Sequence, residues 1–444
     1  MLTSVAAVGA AFAVWPYRPR AARDIPSGRI VLDYWEKWTG VEGQAVQRIV
    51  DQFNDSQNRI WVNRVPVSDI VAKSMVAIGG GDPPDLIGLF NFNIPLFAEA
   101  GAIIPLSTFG SAQSLQAEHY APAVWRMLTY EDELWAGVTT CYTLALYYNR
   151  KQYREVGLDP DRPPRTVSEL DNYAETLTSI DKDDRLARAG FMPNIPNWWP
   201  YFWPVMFGGS FYDKQTNQAT LLTPENIAAY RWVAEYPRKY GRLGTQSFGA
   251  GFSRSFHSPQ DPFLLGRVAM IIQGPWIANF IRRYAPDFEY GCAPAPVVDE
   301  LFDPAQPRGL LESDVLVIPN GCPHPEEAFE FLLFVQRQES QEQLATDHCK
   351  PSPLGDVPPS FMRDHPNDYV AVHDAIAKSD AVYAAPQTRV WKQYADRIGS
   401  AFDAIWAGGD VKTELQSVQN RVQQLLDQAS TRRRQRKQRA GAGV

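Results

Sequence analysis

Cysteine is scarce in this chain, four among 444 residues, too few to staple a fold of this size with disulfides. Cys141 and Cys292 lie in apolar, strand-like runs and read as small core residues. Cys322, His324, His348 and Cys349 make a split pattern that a metal could use. The helix-like stretch between them would hold its ends about 27 Å apart unless it breaks near Glu339 and Ser340. No metal or other cofactor is therefore expected. The six histidines fall in no motif, and GxSxG is absent, so no nucleophilic triad is indicated. The Gly-rich stretch 79–85 lacks GxGxxG spacing and a GK[ST] ending, and it precedes a strand where a phosphate loop would follow one. The apolar run VAAVGAAFAVW at 5–15 is too short for a membrane span but fits the core of an export signal. Against that, no Lys or Arg precedes it, Arg18, Arg20 and Arg23 follow it, and no cysteine lies near it for lipidation. Export is expected, with residues 1–28 as signal or anchor and linker.

Apolar residues make up 45% of the chain and charged ones 21%, a globular composition. The length exceeds one ordinary core, so two lobes are expected. Thirteen Trp, nineteen Tyr and twenty-two Phe offer many stacking surfaces. The net charge is −7, but six basic residues crowd into 432–439, leaving 37 basic against 50 acidic groups, or −13, elsewhere. So acidic a body excludes nucleic acid as the main ligand. The basic run, placed in a disordered tail over 431–444, reads as a solvated extension. The alternative is contact with an anionic lipid surface, where about 1 kcal/mol per basic residue is typical.

Hydrophobic period predicts a strand at 29–35, an amphipathic helix at 43–54, a strand at 60–67, a helix at 69–78 and a strand at 86–90. This βαβαβ rhythm implies a parallel sheet with helices on its faces. Thr166 and Glu169 form a capping box for a helix at 167–179. NIPNWWPYFW at 194–203 places aromatics among prolines and cannot be regular helix. In FLLGRVAMIIQGPW at 263–276 an apolar strand stops at Gly274-Pro275 and presents Trp276 just beyond its carboxyl end, where open α/β sheets bind ligands. A fixed flat indole suits a sugar ring; the alternative is a core tryptophan packing a helix. A strand at 310–318 carries Glu312 and Asp314, charges that an apolar strand does not bury without partners.

In this order the segments resemble the family 1 extracellular solute-binding proteins, the carbohydrate receptors of ABC importers related to maltodextrin-binding protein. The matching stretches include GGGDPPDLI, AEAGAIIPL, LWAGVTTCYTLALYYNRKQYREVGL, PPRTVSEL, FLLGRVAMIIQGPW, EYGCAPAP, PEEAFEFLLFV and AFDAIWAGGDVKTEL. The resemblance spans about residues 29–427. It implies an α/β, two-lobe clamp of the periplasmic-binding-protein kind, each lobe a mostly parallel sheet flanked by helices. Several hinge crossings would join them, near 138–141, 310–313 and 350–354. Lobe 1 would be 29–139 plus 314–349, and lobe 2 would be 140–313 plus 351–430.

The resemblance also implies a ligand between the lobes. The turn after the first strand holds Trp35, Glu36 and Trp38, with a carboxylate to accept sugar hydroxyls and an indole to stack. Surface charge and a packed Trp are the alternative. Asn91 and Asn93 follow the third strand with amides that both donate and accept. Tyr142 lies at the first crossing. Trp198, Trp199, Tyr201 and Trp203 match a region that supplies stacking aromatics, some of them core. Trp276 matches the family's Gly-x-Trp aromatic, Glu312 and Asp314 lie at the second crossing, and Trp391, with Arg389 before it, matches a further stacking position. The implied partners are a carbohydrate and an importer's membrane permease, with a monomeric receptor on the outer face of the membrane. A membrane-coupled sensor would use the same fold. A glycosidase would need Glu36, Glu312 or Asp314 as paired carboxylates, at a spacing the sequence leaves open.

Overall fold

The computed structural model describes residues 25–441 except 253 and 254, so the apolar run at 5–15 lies outside the described residues. Alternating apolar residues build strand β1, Ile30–Glu36, which pairs in parallel with β2, Ile60–Pro66, and with β3, Leu86–Phe90. The helix between β1 and β2, Gly40–Ser56, buries Val46, Ile49, Val50 and Phe53. It begins three residues earlier than its apolar stripe predicts.

The first sheet then takes in a long late strand. Numbered in chain order, the strands used below are β4, Gly137–Thr143; β5, Ala145–Asn149; β6, Met270–Gln273; β7, Tyr290–Pro294; β8, Leu310–Val317; and β9, Tyr383–Ala384. β8 runs antiparallel to β3 and to β4, and parallel to β9. Successive residues of β8 serve opposite faces, as the pleat requires. Val315 and Val317 enter one core with Ile87, Phe97 and Val124, while Leu316 enters another with Leu32, Val50 and Phe331.

The second sheet has the order β6-β5-β7, and both of its ladders are antiparallel. This corrects the expectation of a mostly parallel sheet in each lobe. The reason is the route of the chain. β6 and β7 run the same way, joined over the helix Ile277–Tyr284, but β5 enters between them from β4 in the opposite direction. Its core is the largest and includes Tyr147, Phe191, Phe202, Trp203, Tyr230, Trp391 and Tyr394.

The crossings are short. β4 pairs in the first sheet and β5 in the second, with only Leu144 between them. On the return, Leu310 packs in the second core and Leu311 in the first. The chain after Lys350 touches both, since Leu354 and Ala377 join the first sheet's core while Ile376 joins the second's.

Local details differ from expectation where backbone geometry wins. Thr166 Oγ1 accepts from Glu169 N at 3.3 Å, but the Glu169 carboxylate turns back to Arg165 N at 2.8 Å, one residue short of a closed box. The apolar helix Pro325–Val335 ends before a second, Gln338–His348, so the break falls at 336–337. His324 then bonds Asp85 at 3.1 Å, whereas Cys349 Sγ meets Asn279 Oδ1 at 3.1 Å. The last helix, Val411–Gly441, runs through the basic stretch, correcting the disordered tail expected from 431. No helix among the described residues is long and apolar enough to cross a membrane.

Candidate ligand-binding site

Between the two sheets, over the crossings, lies a cleft of about 490 Å³. Its first wall comes from the turn after β1 and the start of the helix that follows, with Trp38, Thr39 and Glu42, and from the end of β3 and the turn after it, with Phe90 and Phe92. Phe90 and Phe92 stack at 5.2 Å with 13° between their planes, and Trp38 meets Phe90 edge-on at 6.0 Å. The facing wall holds Tyr142, Trp198, Trp199, Tyr201, His257, Trp276 and Phe280. Trp276 follows β6 at the start of the helix Ile277–Tyr284, and its indole folds back over Gly274, where any Cβ would collide with it. Tyr142 packs edge-on against it at 5.0 Å, and Trp199 lies tilted at 5.9 Å.

Trp276 Nε1 donates to His257 Nε2 at 3.0 Å, and His257 stacks flat on Phe280 at 4.2 Å. Burial lowers the His257 pKa to about 4, so the ring stays neutral and can accept that bond. The indole is thereby fixed from two sides.

The floor is made by two carboxylates with different partners. Glu312 lines the cleft and accepts from Tyr142 OH and, at 2.9 Å, from Tyr201 OH. Burial pushes its pKa up to about 7, although both phenols pull it back. Both phenols are themselves held protonated by burial and by Glu312, so they remain donors. Asp314 faces inward. Its Oδ1 accepts from Trp38 Nε1 at 3.1 Å and Lys37 Nζ at 3.0 Å, and its Oδ2 from Thr140 Oγ1 at 2.6 Å and Lys350 Nζ at 2.9 Å. Burial alone would raise its pKa, but Lys350 and Lys37 hold it well below the usual carboxylate range. Lys350 Nζ also lies over the rings of Trp38, Tyr142 and Trp276 at 5.5, 5.6 and 5.9 Å, which binds both aromatic walls to the hinge.

Of the residues predicted from sequence, Trp38, Tyr142, Trp198, Trp199, Tyr201, Trp276 and Glu312 come together here. The others do not line the cleft, each for a physical reason. Asp314 has its lone pairs filled by four protein donors. Glu36 is buried over Gly88 and accepts from Tyr34 OH, Lys37 N at 2.7 Å and Trp38 N at 3.1 Å, so it shapes the turn that presents Trp38. Trp35, one residue earlier on the pleat, packs on the opposite core. Asn91 Oδ1 turns into the crossing and accepts from Ser313 N at 2.9 Å, while Asn93 Oδ1 is buried and accepts from Phe90 N at 3.3 Å within its own turn. Trp203 and Trp391 are core, the latter edge-on to Tyr201 at 5.4 Å. Arg389 pairs with Glu99 at 3.3 Å, away from the cleft.

Several lining residues escaped the sequence. Phe90 and Phe92 alternate with Asn91 and Asn93 in a 3-10 turn, and the amides drew attention because they are polar. Lys350 follows Cys349, whose left-handed backbone (φ 56°) ends a helix and turns the chain under the cleft. His257, also left-handed (φ 58°), had no motif around it.

Two α/β lobes closing an aromatic cleft over their crossings define a binding clamp. The chain belongs to the bacterial extracellular solute-binding protein family, whose model matches residues 37–342. Family membership implies an extracytoplasmic location. The chain is 25% identical over 331 residues to the maltotriose-binding protein of Pyrococcus abyssi (strain GE5 / Orsay), covering 72% of this chain and 65% of that protein. It is 25% identical over 183 residues to the sn-glycerol-3-phosphate-binding periplasmic protein UgpB of Pectobacterium atrosepticum, covering 39% of each. These matches span less than two thirds of the curated relatives' length. Among solved structures, CpMnBP1 with mannotriose bound aligns with a TM-score of 0.78 and 25% identity, over 88% of this chain and 99% of that one.

Proposed function

We propose that this protein is an exported, non-catalytic receptor that captures an oligosaccharide between its lobes and presents it to the permease of an ABC importer. The observation that carries this reading is the pair of aromatic walls facing each other over Glu312. Indole and phenyl faces offer apolar burial to the C–H faces of sugar rings, and Glu312 and Glu42 accept from hydroxyls that would otherwise be buried unpaired. Relatives that bind maltotriose and mannotriose support an oligosaccharide. A phosphorylated ligand fits less well. Lys350 is the single Lys or Arg among the described lining residues, and its ammonium is already engaged by Asp314 and Thr140.

The bodies proposed to move are residues 29–139 with 314–349 and residues 140–313 with 351–430, in a monomer exported by way of residues 1–28. Only the closed form would let one ligand touch both walls, which couples affinity to closure. Calorimetric titration of the purified protein with maltotriose, mannotriose and glycerol 3-phosphate tests the reading. Saturable binding of an oligosaccharide that is recovered chemically intact is expected. Binding of glycerol 3-phosphate alone would overturn the substrate class, and consumption of the glycan would overturn the receptor. Trp276→Ala is expected to weaken oligosaccharide binding at least about tenfold while the fold survives. Unchanged affinity would remove Trp276 from the site.

A further inference from the structure

The last helix has two physically different halves. Leu415, Val418, Val422 and Leu426 are buried at helical spacing, and Asn217 Nδ2 donates to Ser430 Oγ at 3.0 Å. From Thr431 onward the packing ends, and the described side chains at 431–435 and 438 are all exposed. The helix nevertheless continues to Gly441, roughly 17 Å beyond Ser430 at the usual rise. This projecting part carries Arg432, Arg433, Arg434, Arg436, Lys437 and Arg439, with no acidic residue after Asp427. Arg433 pairs with Glu131, which ties the root of the projection to the hairpin at 129–134.

By sequence such a projection should not favour itself. Positions 432 and 436, and 433 and 437, lie one turn apart, so like charges oppose the helix. No apolar stripe recruits it to the body. An extended anionic surface removes that repulsion and supplies the missing partners together. We propose that this helix docks the receptor on an anionic phospholipid surface, its cations lying among the lipid phosphates while the −13 body is held away. The choice of lipid over nucleic acid rests on the extracytoplasmic location of the family. The cleft residues take no part.

Flotation of the full chain with phosphatidylcholine vesicles, with and without phosphatidylglycerol, tests this. Binding is expected only to the anionic vesicles, and should weaken at least about tenfold in molar salt, where charges are screened within about 3 Å. A triple variant, Arg432→Gln, Arg434→Gln and Lys437→Gln, spares the Arg433–Glu131 pair and should lose at least about tenfold of the binding at low salt. Its oligosaccharide affinity should be unchanged, which separates docking from capture. Equal binding to neutral vesicles, or full binding by the variant, would overturn the proposal in favour of an apolar anchor. Tighter capture of duplex DNA than of anionic vesicles at the same salt would reassign the surface to nucleic acid.

Discussion

Glu312 and Asp314 stand two residues apart on β8, cross-strand from Tyr142 and Thr140 respectively, yet their surroundings differ in kind. Glu312 is buried with phenols and, among the described residues, no cation at ion-pair distance, so its pKa rises to about 7. Asp314 is equally buried but carries Lys37 and Lys350, and it stays ionised. One strand thus supplies a carboxylate that lines the cleft and, next to it, a staple that joins all three crossings. What separates the roles is the company each carboxylate keeps, since side-chain chemistry and burial are nearly the same. The neutral donors leave Glu312 oriented beneath the cleft it lines, while the ammonium groups consume Asp314.

The comparison is broken most directly at the staple. Asp314→Ala strands Lys37 and Lys350 in a buried site, and a loss of about 3–5 kcal/mol is expected in chemical denaturation. An unchanged midpoint would show that the crossings do not depend on the pair. Combining Lys350→Met with Asp314→Leu should recover part of that loss, because only Lys37 is then left without Asp314, and it keeps Glu36 at 3.6 Å.

Glu312→Gln should act through pH. The folded pKa of about 7 exceeds the ordinary 4.5, so between these values the folded state binds more protons than the unfolded one. Stability from this group is therefore highest at low pH and falls as pH rises toward 7, by on the order of 3 kcal/mol. The amide variant should flatten that part of the stability–pH curve. The same slope in wild type and variant would assign the dependence elsewhere.

The smallest effect belongs to Arg389→Gln. Its pair with Glu99 is partly exposed, so about 1 kcal/mol or less of stability is expected to go, with no change in oligosaccharide affinity. A tenfold loss of affinity would instead return Arg389 to the cleft.

Much of this was legible from the chain. The βαβαβ order of the first lobe, the aromatic placed after β6 by Gly-Pro, and the two charges on β8 all follow from period and chemistry in short windows. These features depend on neighbours in sequence, where a pleat or a turn dictates which way a residue faces. The two-lobed clamp is legible by another route, the resemblance of eight stretches in a set order to a known family.

The tertiary structure decided what depends on distant partners. It made the second sheet antiparallel, because β5 enters from the crossing between strands that run the other way. It turned Asn91 inward and left Phe90 and Phe92 to face the cleft, because Asn91 accepts from the backbone of Ser313, more than two hundred residues away. It gave Asp314 to two lysines and Glu312 to two tyrosines, a division that two similar carboxylates on one strand cannot reveal alone. A residue's type limits which bonds it can make, but which of them it makes is settled by what the fold brings within about 3 Å.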